Sequence, residues 1–435
     1  MCGGPVGLTA ALMLSKAGYD FVLLEARPQV VEDVGASLTL FPHTIRILAQ
    51  LGLLNQLREY GQGVVKFMDY NNKGLVSSMS FEDHMIKSHG QSSLMFHRAE
   101  LVQCIYDALG EEGHARCHVN KRVTAVDKKD EGVVVTCQDG STYEGGLLIG
   151  ADGVHSRVRD IMREHMLLDG KSEAEVNEKR PFPCTYKTIW CPIPGQTQFF
   201  APGDVLVTHS DGCSLQMLNA ERRAWLFVYE KLDKPTTERV RFTEADIEAF
   251  VAKHADMMVG GKVRLGDLIE QRRGKIGMAN LEEGVLKHWS YGRMVLAGDA
   301  CHKYTPNAGQ GLNNGIQDLA ALGNELFALH TDAPTDQELT AAFTRYQAVR
   351  AEPVVQDYGF SARMTRLSAW PNWLYWFADQ WVMPNIPFMN HVYLNWIISP
   401  PISKAFVAQF IETEEPFEGT MPWAESIPKP GQAAC

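Results

Sequence analysis

A short strand, a glycine-rich loop and a helix follow one another in the stretch Gly292-Arg293-Met294-Val295-Leu296-Ala297-Gly298-Asp299-Ala300-Cys301-His302-Lys303-Tyr304-Thr305-Pro306-Asn307-Ala308-Gly309-Gln310-Gly311-Leu312-Asn313-Asn314-Gly315-Ile316-Gln317-Asp318. Met294 to Ala297 form an apolar run typical of a buried strand, and a helical pattern begins near Gly311. Gly309 and Gly311 let the backbone approach a ligand, and a helix start offers N–H groups to an anion. Asp299 can accept a hydrogen bond from a sugar-like hydroxyl. The combination indicates a nucleotide-binding loop, although an ordinary surface loop shares several of these features.

The N-terminal stretch has the order of a dinucleotide-binding βαβ unit: turn, helix, strand and acidic residue. Gly4 and Gly7 occupy the second and third glycine positions of that motif, and Glu25 occupies the acidic position about 20 residues on. Cys2 stands where the first glycine should be. We expect the strand that normally precedes the turn to be missing, since the chain starts inside it. A tight turn before a helix would explain the glycines equally well, so the motif alone is weak.

A third stretch, residues 145–159, runs from an apolar strand into Ala151-Asp152-Gly153. Asp152 and Asp299 therefore both follow apolar strands, where open α/β sheets bind ligands. In their order, the three stretches resemble the glycine-rich ADP motif, the Asp-Gly motif and the Gly-Asp motif of flavoprotein monooxygenases of the para-hydroxybenzoate hydroxylase type. The resemblance runs from Gly3 to about residue 350. It implies an α/β protein: a Rossmann-like FAD-binding domain lacking its first strand, an interleaved β-sheet substrate domain and a C-terminal helical region.

Four further segments most resemble the fungal enzymes of indole-diterpene and meroterpenoid biosynthesis, which are FAD-dependent epoxidases and hydroxylases: Val34-Gly35-Ala36-Ser37, Phe96-His97-Arg98-Ala99-Glu100-Leu101, Val228-Tyr229-Glu230-Lys231-Leu232-Asp233 and Trp289-Ser290-Tyr291-Gly292-Arg293. The resemblance implies that NADPH or NADH reduces the flavin and that O2 then forms a C4a-hydroperoxyflavin. That species would epoxidise or hydroxylate a hydrophobic secondary metabolite, such as a terpenoid, a meroterpenoid or a prenylated indole. Two alternatives stay open: aromatic ring hydroxylation of a small phenol, and a truncated, non-catalytic flavoprotein-like scaffold. A misplaced start codon would also explain the missing strand.

The resemblance assigns roles to residues of the cofactor site. Glu25 would bind the adenosine ribose, and Arg98 would contact the ribityl–pyrophosphate region of FAD. Asp152 belongs to the motif that serves both FAD and the pyridine nucleotide, and Asp299 would hold the ribityl chain.

Other positions would lie beside the flavin or shape its binding loops: Gly4, Gly7, Thr39, Pro306, Gly309, Gly311 and Leu312. The family often has glycine where this chain has Thr39 and Leu312, so backbone contacts there are less secure. No catalytic side chain is identified. Several side chains of the substrate region could line a cavity but are more typical of packed sheet residues: Tyr186, Trp190, His209, Trp225 and Tyr229.

Composition fits a large enzyme of two to three domains. The chain has 435 residues and a formal net charge of −11, which argues against nucleic-acid binding. Its nine cysteines, without metal-ligand spacing, indicate reduced thiols and neither a disulfide framework nor a metal site. Cys301 could attach flavin covalently or act as a redox thiol, but we interpret it as a small buried residue. No secretory signal is visible, so we expect a cytoplasmic protein or one peripheral to an intracellular membrane.

We predict four regions along the chain. The FAD-binding domain comprises 1–160 and 285–355, and the substrate domain comprises 161–284 with parts of 60–95. An aromatic-rich helical region covers 356–411, and a flexible tail covers 412–435.

Local patterns predict individual elements within these regions. Helices are expected at Thr44–Leu54, from Arg98, at Glu244–His254, at Gly311–His330 and at Asp336–Val355, the last broken at Pro353. Substrate-sheet strands are expected at Leu206–His209, Ser214–Leu218 and Trp225–Tyr229, divided from loops by Pro181, Pro183, Pro192, Pro194 and Pro202. Strands Val123–Asp127 and Val133–Cys137 are expected to form a hairpin near Asp139-Gly140.

The region around residues 370–403 has an unusual composition. Five of the nine tryptophans lie between Trp370 and Trp396, and no Lys, Arg, Asp or Glu occurs from Gln380 to Ser403. A span of this length could cross a bilayer, but Pro384, Pro387 and their neighbours count against one continuous helix. A helical cap packed on the flavin domain and a monotopic membrane patch are both open interpretations. The oligomeric state is not indicated.

Overall fold

The computed structural model describes residues 3–33, 35, 37–195, 198–386 and 388–431. Four positions named above, Cys2, Val34, Ala36 and Pro387, therefore lie outside the described residues, as does Cys435. The seven cysteines that are described form no disulfide with one another.

Fourteen α-helices occur in the described ranges, and most are short. Their bounds are α1 Pro5–Lys16, α2 Pro42–Gln50, α3 Leu54–Tyr60, α4 Phe81–His89, α5 Arg98–Asp107, α6 Gly110–Ala115, α7 Arg157–Leu168, α8 Glu244–His254, α9 Leu265–Ile269, α10 Gln310–Phe327, α11 Asp336–Ala369, α12 Trp373–Phe377, α13 Met389–Val392 and α14 Ser399–Ser403.

Twenty-two strands are described, many of them two or three residues long. Their bounds are β1 Leu23–Leu24, β2 Ser37–Leu40, β3 Gln62–Gly63, β4 Lys66–Asn71, β5 Gly74–Ser80, β6 Leu94–His97, β7 Cys117–His118, β8 Val123–Lys129, β9 Gly132–Cys137, β10 Thr142–Gly145, β11 Leu148–Gly150, β12 Cys184–Pro194, β13 Asp204–Ser210, β14 Cys213–Asn219, β15 Arg223–Thr236, β16 Met258–Val259, β17 Val263–Arg264, β18 Gly277–Glu282, β19 Gly284–Val285, β20 Ser290–Tyr291, β21 Met294–Leu296 and β22 His302–Lys303.

The first half of the architecture brings together the three motif stretches. β1 pairs in parallel with β7, and β11 pairs in parallel with β21. These pairs belong to separate sheets, and in the described residues no strand precedes α1. Helices α1 and α10 cross closely, because a methyl group built on Gly315 would lie 2.7 Å from Val6 Cγ2. Glycine at position 315 thus permits the two helices whose starts carry the glycine motifs to pack together.

The second half is a seven-stranded sheet in the order β18-β12-β15-β14-β13-β4-β5. The three predicted substrate-sheet strands and the predicted helix Glu244–His254 are confirmed. The β4–β5 hairpin comes from the N-terminal part of the chain and joins β13 in parallel. One sheet face packs under α8 and α9, while the other carries Trp225, Phe227 and Tyr229 toward the glycine-rich loop. The predicted α/β class, with an interleaved sheet and C-terminal helices, is confirmed.

Two predicted boundaries among the strands are wrong. β8 and β9 do form a hairpin, but they turn at Asp130-Glu131, and the Asp139-Gly140 turn leads instead into the third strand, β10. Pro192 and Pro194 lie inside β12 and not between strands. β12 pairs with β18 only as far as Trp190 and with β15 alone beyond it. Both prolines therefore lie where β12 is an edge strand. There the missing N–H group of proline interrupts no hydrogen bond between strands.

Two helix predictions also need correction. The helix expected over Thr44–Leu54 is divided into α2 and α3, because Gly52 adopts a left-handed φ of 87°. Helix α11 continues through Pro353 to Ala369, past the domain boundary expected at residue 355. Proline leaves the carbonyl four residues earlier without a helical partner. That residue is Val349, which is 42% exposed, so water can reach its carbonyl group.

The C-terminal part turns repeatedly through α12, α13 and α14, with two π-helical turns between them. Among the described residues, no helix has the length and apolar character needed to cross a membrane.

The tail, expected to be flexible, is packed against the cofactor half. The Arg46 guanidinium donates to both oxygens of Glu415, at 3.0 and 2.6 Å. Gln50 donates to the carbonyls of Ala408 and Ile411, both at 3.0 Å. Glu415 of the tail therefore has a specific partner, and the flexibility of 412–435 stays a prediction.

Candidate functional site

The glycine turn and the acidic residue of the N-terminal motif meet at the start of α1. Gly4 is the N-cap of this helix and Pro5 its first residue, and no side chain among the described residues caps it. The backbone N–H of Gly3 donates to Glu25 Oε2 at 2.6 Å, and that of Arg27 donates to Oε1 at 2.9 Å. Glu25 is only 5% exposed. The start of α1, expected to bind the pyrophosphate, therefore lies next to Glu25, expected to bind the ribose. Binding of a dinucleotide requires this arrangement. Gly7 lies buried in the first turns of the helix.

The second glycine-rich segment forms the N-terminus of α10. Gly309 is the N-cap, with a left-handed φ of 67°, and no described side chain caps the helix. A methyl group built on Gly311 would lie 3.7 Å from Asp299 Oδ1, so the Asp299 carboxylate faces this helix start. The Lys303 ammonium pairs with Asp299. Burial lowers the pKa of Lys303, but the Asp299 carboxylate outweighs it and raises the pKa above its usual value.

Asn313 ties the loop to the strand that carries Thr39. Its amide donates to the carbonyls of Thr39 and Gly309, at 2.8 and 2.7 Å, and its oxygen accepts from the Phe41 N–H at 3.0 Å. Asn313 therefore holds Thr39 and Gly309 in one neighbourhood. Sequence reasoning quoted Asn313 but gave it no role. Its amide is fully buried in the first turn of the helix, and its partners Thr39 and Phe41 are distant in sequence, so no local pattern identifies it.

A buried charged network supports the loop from below. Asp318 accepts hydrogen bonds from the Gly298 N–H, His302 Nε2 and Arg350 Nε, at 2.9, 2.6 and 2.8 Å. Burial alone would raise the pKa of Asp318, but His302 and Arg350 lower it to about 2. The carboxylate therefore stays charged and fixes the turn that presents Asp299. This residue was missed because its partners are distant in sequence.

Cys301 lies against the same network. Its side chain is fully buried, and burial raises the pKa of the thiol well above its usual value. Cys301, His302 and Asp318 are close enough to ligate a metal, but Arg350 already occupies the carboxylate of Asp318. The position fits a small packed residue better than a reactive thiolate or a metal ligand.

Asp152, predicted to serve both FAD and the pyridine nucleotide, lies at the start of α7. Its carboxylate accepts from Ser156 Oγ at 2.5 Å and from the N–H groups of Arg157 and Val158, at 2.7 and 3.1 Å. All three donors belong to the N-terminus of α7. Asp152 therefore acts as a cap for that helix in this structure. Arg159, one turn later, donates to the carbonyl of Ala300 at 3.0 Å and links α7 to the Asp299 turn.

Arg98 begins α5 on the other side of the cofactor loops. A methyl group on Gly35 would lie 2.9 Å from Arg98 Cδ, so Gly35 lies directly against this side chain. The preceding residue, His97, bonds through Nε2 to Asp33 at 2.5 Å and stacks on Trp225 of the substrate sheet, with ring centroids 6.3 Å apart. Arg98 thus stands where the cofactor loops meet the substrate sheet.

The substrate sheet reaches the glycine-rich loop through one polar chain. The Tyr229 hydroxyl donates to Gln216 Oε1 at 3.0 Å, and Gln216 donates to the carbonyl of Asn307 at 3.2 Å. Burial raises the pKa of Tyr229, so its hydroxyl stays protonated. Asn307 neighbours Pro306, which places that predicted flavin contact beneath the aromatic face of the sheet.

The other substrate-region candidates are mostly packed. Trp225 is buried in the apolar face, with Trp190 partly buried against it. The hydroxyl of Tyr186 has no hydrogen-bond partner among the described residues, and burial raises its pKa to about 12. His209 bonds through Nδ1 to Asp379 at 2.6 Å, with Asp69 3.5 Å from Nε2. Burial lowers the pKa of His209, but the two carboxylates outweigh it and raise the pKa to about 9. It is therefore an imidazolium that anchors the C-terminal segment.

Comparisons with known proteins agree with a cofactor site of this kind. A family model described as FAD binding domain covers residues 2–357. The FAD-dependent monooxygenase srdH of Neurospora crassa is 32% identical over 98% of this chain and 98% of its own length. The FAD-dependent monooxygenase verC1 of Penicillium polonicum is 34% identical over 86% of this chain, which spans about half of that relative, 47% of its length.

Solved structures share the fold. HpxO of Klebsiella pneumoniae, complexed with FAD and uric acid, superposes with a TM-score of 0.67 at 19% identity, covering 90% of this chain and 93% of its own. The p-nitrophenol 4-monooxygenase PnpA of Pseudomonas putida gives 0.70 at 18% identity, covering 90% and 95%. Since the family model covers most of the chain and srdH is similar over nearly its whole length, the chain belongs to the FAD binding domain family of flavoprotein monooxygenases.

Proposed function

We propose that the protein uses NAD(P)H and O2 to epoxidise or hydroxylate a hydrophobic secondary metabolite, such as a terpenoid, a meroterpenoid or a prenylated indole. The observation that carries the proposal is the apolar sheet face bearing Trp225, Phe227 and Tyr229, which Gln216 fixes to the carbonyl of Asn307 in the loop expected to hold the flavin ring. A face of this chemistry favours a substrate whose buried surface is largely apolar.

The residues present fit FAD. The N-termini of α1 and α10 offer unpaired N–H groups to the pyrophosphate, without competing side-chain caps among the described residues. Glu25 would bind the adenosine ribose, Asp299 the ribityl hydroxyls and Arg98 the ribityl–pyrophosphate region. Gly4, Gly7, Thr39, Pro306, Gly309, Gly311 and Leu312 would shape the path of the cofactor. When bound, FAD would supply the activation of O2 after reduction by the pyridine nucleotide.

The roles of the protein in the reaction are positioning and the exclusion of water. Phe227 and Tyr229, which pack in one cluster with Leu394 and Ile402, would form the apolar wall behind the substrate. The Tyr229–Gln216–Asn307 chain would hold that wall against the loop. Asp318 would keep the Asp299 turn in place through the Gly298 N–H. A dry, apolar surface protects a reactive oxygen species from water. No side chain of this chain is assigned to a proton-transfer step.

The experiment that tests the proposal is substrate-stimulated NAD(P)H oxidation with incorporation of oxygen from 18O2. Purified protein loaded with FAD is offered a panel of prenylated indoles and terpenoids beside a panel of small phenols. We expect labelled product from the first panel. Labelled product from phenols alone would establish the aromatic hydroxylase alternative. Retained FAD with no labelled product from either panel would overturn the proposal.

A pair of variants tests the role of the aromatic face. Phe227→Ala removes apolar surface, and we expect it to raise KM for the hydrophobic substrate by roughly tenfold or more, with FAD content unchanged. Tyr229→Phe keeps the ring and removes only the hydroxyl that bonds to Gln216. We expect a smaller change in KM for that variant. Equal effects of the two variants on KM would contradict an apolar recognition surface.

A further inference from the structure

Large apolar side chains are exposed together at the C-terminal turn of the molecule. Between residues 373 and 397 lie eleven of the twenty large hydrophobic side chains that are exposed in the described structure. We call the eight most prominent of them the aromatic platform: Trp373, Leu374, Trp376, Phe377, Trp381, Phe388, Trp396 and Ile397. Phe388, Trp396 and Trp373 are 78%, 75% and 69% exposed. Rings this exposed protrude from the surface and do not line a groove.

The platform is held in place by the opposite side of the same segment. Asp379 is 1% exposed and binds His209 of β13, and Asn390 donates to the Ser78 carbonyl of β5 at 3.1 Å. Leu394 and Ile402 are buried in the apolar face of the substrate sheet. Packing on the protein therefore explains this inner side fully. Apart from Trp381, which lies beside Lys73, the outer rings pack on nothing that the described ranges of the chain show.

The charge distribution of the molecule separates this surface from the rest. The chain carries a net charge of −11, yet residues 380–403 contain no Lys, Arg, Asp or Glu. The nearest cation on the platform is the Lys73 ammonium, which lies 3.9 Å from the centre of the Trp381 ring. Protein interfaces also favour aromatic residues at their core, but a polar, solvent-accessible rim surrounds that core. A neutral surface of protruding indole rings is instead complementary to the headgroup level of a lipid bilayer.

We propose that the aromatic platform inserts monotopically into the interface of a lipid bilayer with neutral headgroups. The short helices α12, α13 and α14 would lie along the membrane surface, in keeping with the lack of a spanning helix among the described residues. Because the segment is fixed to β13 and β5, membrane contact would place the substrate sheet beside the apolar phase. The proposal goes beyond the monooxygenase assignment, since binding does not depend on turnover.

The test is flotation of the full FAD-loaded protein with phosphatidylcholine vesicles. We expect binding that changes little with salt or with added anionic lipid, because apolar insertion and not charge drives it. The double variant Trp373→Ser/Trp396→Ser should bind at least about tenfold more weakly. The control is Leu168→Ser at the end of α7, a position that is 84% exposed, and it should bind as the unaltered protein does.

A second measurement keeps the test independent of variant folding. Tryptophan fluorescence of the unaltered protein should shift to the blue with vesicles and be quenched by lipids brominated near the headgroup. Absence of binding by the unaltered protein would overturn the proposal. So would a dimer in analytical ultracentrifugation that the double variant abolishes, because the platform would then bind a second copy. Normal flavin absorption in the double variant shows that it has folded and makes either result decisive.

Discussion

Asp152 and Asp299 follow two neighbouring parallel strands, β11 and β21, yet their carboxylates meet different partners. Asp152 accepts hydrogen bonds from three donors of α7, which begins only five residues later. Asp299 faces the start of α10 across Gly311 and pairs with the partly exposed Lys303. The end of each strand thus places a carboxylate at the ligand-binding edge of the sheet. The length of the following loop then decides whether the next helix is close enough to donate its N–H groups to that carboxylate.

The variant with the largest expected effect is Asp318→Ala, which removes the support beneath Asp299. Arg350 would lose its buried partner charge and His302 its hydrogen-bond acceptor, and leaving a buried charge unpaired costs about 3–5 kcal/mol of stability. We expect a large fall in the denaturation midpoint and loss of FAD. The measurement is urea unfolding, followed by flavin fluorescence and circular dichroism. A variant of nearly normal stability would show that the Asp318 network does not hold the turn that presents Asp299.

The pH dependence of the unaltered protein is the control for that variant. The folded pKa of Asp318 is about 2, below its ordinary value of 3.8. Its stabilisation is therefore fully present above pH 3.8 and is lost as the pH falls through about 2. Unfolding curves between pH 5 and about 2 should show this loss in the unaltered protein. In Asp318→Ala, the share of this acid-induced loss of stability that comes from Asp318 should be absent.

Asp299→Ala is expected to affect the cofactor more than the fold. Hydrogen bonds to a charged group contribute about 1.5–3 kcal/mol, so FAD affinity should fall roughly 10- to 100-fold. The ratio of visible flavin absorbance to protein absorbance, with titration of the apoprotein by FAD, measures this directly. Full FAD occupancy in the variant would refute the role assigned to Asp299. Asp299→Asn is the matched variant, since it keeps the shape of the side chain and removes the charge.

Asp152→Ala should show the opposite pattern. Loss of a helix N-terminal cap costs about 1–2 kcal/mol, and Ser156 and the first N–H groups of α7 would lose their acceptor. We expect lower thermal stability with FAD content unchanged in the folded fraction. Loss of flavin without loss of stability would contradict the difference in role between the two residues, because Asp152 would then bind the cofactor as Asp299 is expected to do.

The smallest effect is expected for Cys301→Ala. The thiol is buried, and its hydrogen bond to the Gly298 carbonyl is long, at 3.4 Å. We expect a change within about 1 kcal/mol and the same flavin content. Acid precipitation followed by absorbance of the supernatant tests the point. Flavin that stays with the precipitated unaltered protein but is released from the variant would show covalent attachment at Cys301.

Local sequence patterns predicted the parts of the fold whose causes are local. The apolar run before Asp299, the glycines before α10 and the alternation of the substrate strands each specify an element within a few residues. The same holds for α8, whose bounds were predicted correctly, and which starts with a capping box between Thr243 and Asp246.

Features with distant causes could not be predicted. Arg350 reaches Asp318 from another helix, 32 residues away in sequence. The use of Asp152 as a helix cap depends on where α7 begins, and the prolines of β12 are tolerated only because β18 ends early. The candidate site was predicted as a set of motif positions. The side chains that hold those positions, Asn313 and Asp318, became evident only from their three-dimensional partners.

The packing of the tail on α2 has a consequence for biosynthesis. Arg46 and Gln50 find their partners at Glu415, Ala408 and Ile411, more than 350 residues further along the chain. A ribosome adds residues in order, so Arg46 and Gln50 stay without these partners until residues 408–415 have emerged. A nonsense mutation just before the codon of residue 408 would therefore remove hydrogen-bond partners from α2, more than 350 residues earlier in the chain.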